Sequence, residues 1–262
     1  MGIPQTFHYI WFGGAPKPQL VLTCIDSWRR LMPDWQIMEW NESNYDVTKA
    51  AYLREAYEAR KWAFASDYAR FDILRQYGGV YLDTDVELLK PIPEWVLQDR
   101  AFTGMESGGF VNPGLIFGCS PNLPVLDAIM DSYDGDYFPA DGQIVPKTVN
   151  QRVTAILELE GFRREDVIQR VAGLTIYPSE YFCGYDQDIH EPRITENTIS
   201  RHHYAHSWGN WRDRLWRWVQ LALRRAVGTP RYRRLLALKR GLLGVSGADS
   251  QAGPLPRKNR RT

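Results

Sequence analysis

The amino-acid sequence predicts an α/β fold in which a sheet flanked by helices carries a basic, C-terminal amphipathic helical extension. Three observations lead there. Short apolar runs closed by glycine alternate with stretches whose apolar residues recur every three or four positions, the pattern of strands alternating with helices. A length of 262 residues suits one sizeable core with an appendage. Charge is divided along the chain: residues 211–262 hold fourteen Lys and Arg against Asp213 and Asp249, a charge of +12, and the other eighteen bases and twenty-nine acids leave residues 1–210 at −11.

The elements follow in order. Phe7-His8-Tyr9-Ile10-Trp11-Phe12 before Gly13-Gly14 reads as a buried first strand opening into a loop. Residues 18–32 put Leu20, Cys24, Trp28 and Leu31 at helical spacing and stop before Pro33. Trp35 to Trp40 is a second strand. From Tyr52 to Tyr77 the apolar spacing predicts one long helix, ended by Gly78-Gly79. Gly79-Val80-Tyr81-Leu82 is then a compact strand that delivers Asp83, Thr84 and Asp85 to its carboxyl end, the edge where open α/β sheets bind ligands. Two short strands are expected within 101–119 around Asn112-Pro113-Gly114, helices within 122–133 and 146–160, and a loop-rich block of short strands from Val167 to Tyr204. After Trp211 an apolar stripe of Leu215, Trp218, Val219, Ala222 and Ala226 is flanked by arginines, breaks at Gly228-Thr229-Pro230 and resumes through Leu243. These segments group into a catalytic unit over 1–210, a helical extension over 211–245 and a disordered tail over 246–262.

Composition narrows the class. With 44% hydrophobic and 24% charged residues the chain reads as globular, neither disordered nor membrane-spanning. Its three cysteines form no CxxC pair, which favours a reducing compartment. The start, MGIPQTFHYIWFGG, has no basic segment leading into an apolar one, and no run of eighteen apolar residues occurs. A cytoplasmic protein is expected, peripheral on the inner face of the membrane if its basic extension binds lipid. The amphipathic residues 211–243 fit an anionic membrane surface, with packing of the stripe on the catalytic unit or a partner subunit as the alternative. Nucleic acid is not an expected partner.

Asp83 and Asp85 carry the chemistry. Two carboxylates one residue apart at a strand end make poor core residues, because burying like charges costs several kcal/mol unless a cation neutralises them. All-oxygen ligands suit Mg²⁺ or Mn²⁺ shared with substrate phosphates. Three of the five histidines fall in Arg201-His202-His203-Tyr204-Ala205-His206-Ser207-Trp208, and an added imidazole favours manganese; a polar strand core is the other reading of that cluster. Asp67 and Arg70, one helical turn apart, either aim a guanidinium at phosphate or form an ordinary intrahelical ion pair.

In ordered blocks the sequence resembles the DXD-containing sugar transferases, the family that includes the catalytic domains of large clostridial glucosylating toxins, fungal Golgi mannosyltransferases and many bacterial capsule and exopolysaccharide enzymes. The blocks are Ile3-Pro4 with His8-Tyr9-Ile10-Trp11-Phe12-Gly13, then Ala65-Ser66-Asp67-Tyr68-Ala69-Arg70 with Leu74 and Tyr77-Gly78-Gly79-Val80-Tyr81-Leu82-Asp83-Thr84-Asp85, and finally His203 to Trp208. The resemblance implies a GT-A fold, a Rossmann-like mixed sheet with an inserted acceptor region. It implies retaining transfer of a hexose or N-acetylhexosamine from a nucleotide sugar, UDP-linked by preference, to a glycan or lipid-linked acceptor. Trp11 would stack on the base, with Ile10, Ser66, Tyr81 and Thr84 also on the donor side. Asp67 and Arg70 would contact the donor sugar and the leaving diphosphate. Asp83 would touch ribose, sugar or metal, Asp85 would ligate the metal, and His203 would be the third ligand, with His206 a further candidate. Ser207 and Trp208 would line the diphosphate and sugar, and Asn112 would lie near the acceptor.

Electrostatics gives the same scheme a physical basis, since a divalent ion and Arg70 would stabilise charge developing on the leaving phosphate. Two other classes remain at this point. A metal-dependent phosphohydrolase would need further ligands on several strand ends, and a sugar-binding scaffold would leave the DxD inert.

Overall fold

The structure, a computed structural model, describes residues 2–138, 147–186, 189, 191–205, 219 and 222–243. The chain opens with β1 (Thr6–Ile10), α1 (Gln19–Leu31), β2 (Gln36–Trp40), α2 (Ala51–Glu58), α3 (Trp62–Tyr77), β3 (Gly79–Tyr81) and β4 (Val86–Leu88). It continues through α4 (Glu94–Leu97), β5 (Ala101–Gly104), β6 (Phe117–Cys119), α5 (Pro124–Asp131), α6 (Val149–Leu159), β7 (Gln169–Val171), β8 (Leu174–Tyr177) and α7 (Ser179–Phe182). The short strands β9 (Tyr185–Asp186), β10 (Glu191–Pro192) and β11 (Ser200–His202) follow, and a helix spans Thr229–Leu243.

Seven strands make one mixed sheet in the order β2-β1-β3-β6-β5-β8-β7. β2, β1 and β3 run parallel, as helical crossovers require, whereas β6 returns antiparallel between β3 and β5. The strand period of two sends alternate residues to opposite faces. Phe7, Tyr9, Val80 and Leu82 join Cys24, Ile25 and Trp28 of α1 in one apolar cluster; Ile10, Tyr81 and Phe117 join residues of α2, α3, α5 and α6 in the other. Helices therefore cover both faces, which is the mixed, helix-flanked sheet that the resemblance implies.

Gly78 and Gly79 do more than end a helix. Both have positive φ, and a Cβ on Gly79 would come within 2.7 Å of the His8 ring and of the Thr6 carbonyl. The bare backbone lets α3 turn into β3 against β1. His8 fills the space as a buried, fully bonded ring: Trp40 Nε1 donates to Nδ1 at 3.1 Å, and Nε2 lies 3.0 Å from the Gly78 carbonyl. Burial lowers its pKa to about 4, so the ring is neutral and its Nε2–H donates to Gly78.

The long helix expected over Tyr52 to Tyr77 is two helices. α2 ends on Arg60, whose φ of 55° is left-handed, with Arg60 N bonded to Tyr57 O and Lys61 N to Ala56 O, both at 2.9 Å. Those two bonds make a Schellman cap. A chain break of this kind inserts no glycine and preserves the apolar spacing on either side. In the extension, the interruption at Gly228-Thr229-Pro230 is present as Gly228 with φ 82° between helical residues 222–227 and the helix Thr229–Leu243. Most of 206–221 and all of 244–262, including the tail expected to be disordered, lie outside the described residues.

Candidate active site

β3 and β4 flank the Asp83-Thr84-Asp85 turn, and β4 pairs antiparallel with β11 in a small separate sheet. Its register sets His202 opposite Val86, and the His203 amide bonds the Asp85 carbonyl at 2.9 Å. Strand alternation decides which imidazole reaches the acids. His202 shares its side with the DxD turn, and its Nε2 lies 3.0 Å from Asp85 Oδ1. Arg201 and His203 fall on the other side, where Arg201 Nη2 and His203 Nε2 lie 2.8 and 2.9 Å from Glu87 Oε2. The structure thus brings together Asp83, Asp85 and His202, with ligand atoms all within 4.8 Å of one another, as the one such group among the described residues. His203, expected as the third ligand, instead faces Glu87; the difference is one position of strand register. His206, Ser207 and Trp208 lie outside the described residues.

Each acid is fixed from behind. Asp85 Oδ2 accepts the Ala205 amide at 2.9 Å. Burial acts to raise this carboxyl, yet His202 and the amide outweigh it and hold Asp85 well below the usual carboxylate range. Burial likewise works against protonation of His202, and Asp85 reverses the balance, so the imidazole titrates above its ordinary value. Asp83 Oδ1 accepts from the Tyr81 hydroxyl at 2.9 Å and lies 3.3 Å from Arg70 Nη2. On its far side the Asp83 amide bonds the Gly114 carbonyl at 2.9 Å. A Cβ on Gly114 would fall 2.1 Å from Asp83 Oδ2, so only glycine leaves that oxygen in place.

Arg70, almost completely buried, is the hub. Nη2 bonds Asp67 Oδ1 at 2.7 Å, Nε donates to the Ser66 carbonyl at 3.3 Å, and the guanidinium lies 4.8 Å from the Tyr81 ring centre. Asp67 is buried too; desolvation raises its carboxyl above the usual range although Arg70 pulls the other way. Asp67–Arg70 is therefore an intrahelical ion pair whose guanidinium also reaches Asp83 of the DxD. Arg70 Nη1 and His202 Nδ1 are buried nitrogens with no partner among the described residues. An unpaired guanidinium N–H beside two carboxylates and an imidazole is a fitting bed for a divalent ion with an oxyanion.

The other expected donor residues fall in separate places. Trp11 lines a 470 Å³ cleft with Gly14, Ala15, Lys17, Glu39, Asn41, Glu42 and Ser43, at the carboxyl ends of β1 and β2. Its indole N–H is tied to the Ala15 carbonyl at 2.7 Å. Ile10 is a core residue, Ser66 donates to the Ala63 carbonyl at 2.8 Å, and Thr84 is half-buried between the acids. Asn112, expected near the acceptor, is buried behind Asp83: its Oδ1 accepts from Gly114 N at 2.9 Å and its Nδ2 donates to Glu106 Oε2 at 3.0 Å. Sequence reasoning missed His202, Glu106 and the Glu87–Arg201–His203 cluster. For His202 the residue cluster was visible in the sequence, but the register that turns it toward Asp85 was not.

Comparison with known proteins agrees with the resemblance. Residues 18–102 match the family described as the glycosyltransferase sugar-binding region containing DXD motif. The chain is 27% identical over 156 residues to a human alpha-1,4-N-acetylglucosaminyltransferase, covering 59% of this chain and 41% of that one. It is 31% identical over 137 residues to inositol phosphoceramide mannosyltransferase 1 of Schizosaccharomyces pombe, covering 47% and 40%. It spans about two fifths of the length of these curated relatives. Among solved structures, the PaToxG glycosyltransferase superposes with a TM-score of 0.49 at 18% identity, covering 61% of this chain and 70% of that one.

Proposed function

We propose, on the premise that residues 18–102 form a DXD-type sugar-transferase region, that this protein is a retaining glycosyltransferase. It moves a hexose or N-acetylhexosamine from a nucleotide sugar, UDP-linked by preference, to a glycan or lipid-linked glycan. The observation that carries the reading is the convergence of Asp83, Asp85 and His202 beside the unpaired Arg70 Nη1. These three residues would hold a divalent ion, Mn²⁺ on account of the imidazole or else Mg²⁺, and such an ion supplies charge neutralisation to a bound diphosphate.

The chain's own groups do the rest. Arg70, held by Asp67 and Asp83, presents a preorganised cation where negative charge builds as the sugar–phosphate bond breaks. The cleft at Trp11 offers a ring face to the base, and Lys17, 5.8 Å from that ring's centre and paired with Glu39 at 2.9 Å, also lines it. No side chain needs to become a nucleophile. A phosphohydrolase is less well supported, because its additional acidic ligands find no counterpart among the described residues. The test is a nucleotide-sugar panel with and without Mn²⁺. UDP affinity should drop at least tenfold in EDTA and turnover should vanish; full activity in EDTA defeats the metal reading.

The extension fits an anionic membrane surface. On the helix Thr229–Leu243, Arg231, Arg234, Leu235 and Leu238 recur at three and four residues along the exposed side, while Tyr232 is buried on the other. Among the described residues no helix is long and apolar enough to cross a membrane. A peripheral position on the cytoplasmic leaflet is also supported by three buried, free cysteines. In flotation, the full chain should rise with vesicles rich in anionic lipid, and the full-length Leu235→Glu/Leu238→Glu variant should stay below; equal flotation of the two excludes this surface.

A further inference from the structure

We infer that Glu106 is a positioning residue for the metal site, a buried carboxylate that fastens the Asp83 turn to the His202 strand. The inference rests on the metal reading above, and it concerns a residue that touches neither donor nor ion. Glu106 is 1% exposed, and it sits at the start of a tight loop closed by Glu106 N bonding Phe110 O at 2.9 Å and Gly109 N bonding Glu106 O at 3.0 Å. Burying a carboxylate is unfavourable unless donors converge on it. Two of its donors come from opposite halves of the site.

Asn112 Nδ2 donates to Glu106 Oε2 at 3.0 Å. The same asparagine receives the Gly114 amide at 2.9 Å, and the Gly114 carbonyl receives the Asp83 amide at 2.9 Å. This relay of three hydrogen bonds sets the height of Asp83, whose Oδ2 already leaves no room for a Cβ at Gly114. From the other half, the Tyr204 hydroxyl, which also lies 3.3 Å from Cys183 Sγ, reaches the same Oε2 at 3.4 Å. The Tyr204 ring stands edge-on to the His202 ring at 4.0 Å between centroids, and its φ of 47° is a conformation that a non-glycine residue holds only when its surroundings require it. One oxygen therefore anchors the segments that carry an Asp ligand and the imidazole. Groups behind metal ligands typically change affinity ten- to a hundredfold when removed.

The experiment is Mn²⁺ titration by electron paramagnetic resonance on full-length wild type, Glu106→Gln, Glu106→Ala and Tyr204→Phe, each checked for folding by urea denaturation. Wild type should bind. Glu106→Ala should bind Mn²⁺ at least tenfold more weakly, Glu106→Gln, which keeps an acceptor oxygen facing both donors, should recover most of the loss, and Tyr204→Phe should lose about threefold. Should Glu106→Ala fail to fold, Tyr204→Phe removes only a hydroxyl and decides the matter. Folded variants with wild-type Mn²⁺ affinity overturn the inference alone; a wild type that binds no Mn²⁺ overturns the metal reading along with it.

Discussion

Arg70→Ala is expected to destabilise the fold by about 3–5 kcal/mol, the usual effect of stripping one partner from a buried ionic group, and to reduce transfer by at least about a hundredfold. Asp67, Asp83 and the Tyr81 ring all face this guanidinium. Its removal leaves two acids close together, one of them buried, with no cation between. The pH dependence separates this cause from lost packing. Asp67 is already raised by burial, and loss of Arg70 raises it further, so the folded variant binds a proton more readily than the unfolded chain. Stability of Arg70→Ala should then climb as pH falls from about 8 to about 5, opposite to ordinary acid denaturation. Pairing Arg70→Met with Asp67→Asn should restore much of the stability and none of the activity. A urea midpoint for Arg70→Ala equal to that of wild type at about pH 8 counts against the hub.

On the proposed metal reading, Asp85→Asn should lower turnover about a thousandfold or more, since loss of a ligating charge would remove several kcal/mol of transition-state stabilisation. Asparagine keeps the shape and one acceptor, so the bond to the Ala205 amide survives, and the fold should too. The companion experiment tests the register. His202→Ala should weaken Mn²⁺ binding by at least tenfold, whereas His203→Ala, which only releases Glu87 and Arg201, should leave it within about twofold of wild type. The reverse outcome would place the other imidazole at the metal.

The contrast between those two histidines shows what could be read from the sequence. Gly79-Val80-Tyr81-Leu82 declared itself as a strand because a short apolar run after a glycine stop has few other readings, and the acids then had to stand at its end. Asp67 and Arg70 were visible because a helix puts residues three apart on one face. His202 and His203 differ by one position, and a one-residue shift turns a strand's side chains to the opposite face. Only the pairing of β11 with β4, more than a hundred residues earlier, settles it. Arg60 hid the break between α2 and α3 for a similar reason, since a cap without glycine carries no local signal. Glu106 gave none at all: it is a single acid in a Glu-Ser-Gly-Gly turn, made important by Asn112 and Tyr204 arriving from elsewhere.

The β4–β11 pairing also puts a clock on assembly of the proposed site. Ribosomal synthesis delivers the Trp11 cleft, α3 and the DxD turn well before residues 200–205 emerge. A nascent chain at that stage holds the residues of the Trp11 cleft and the acidic pair but lacks His202 and the Ala205 amide that holds Asp85. On the proposed function, activity would then wait for β11 to dock, so that fragments lost to premature termination or proteolysis ahead of β11 would be silent rather than partly active.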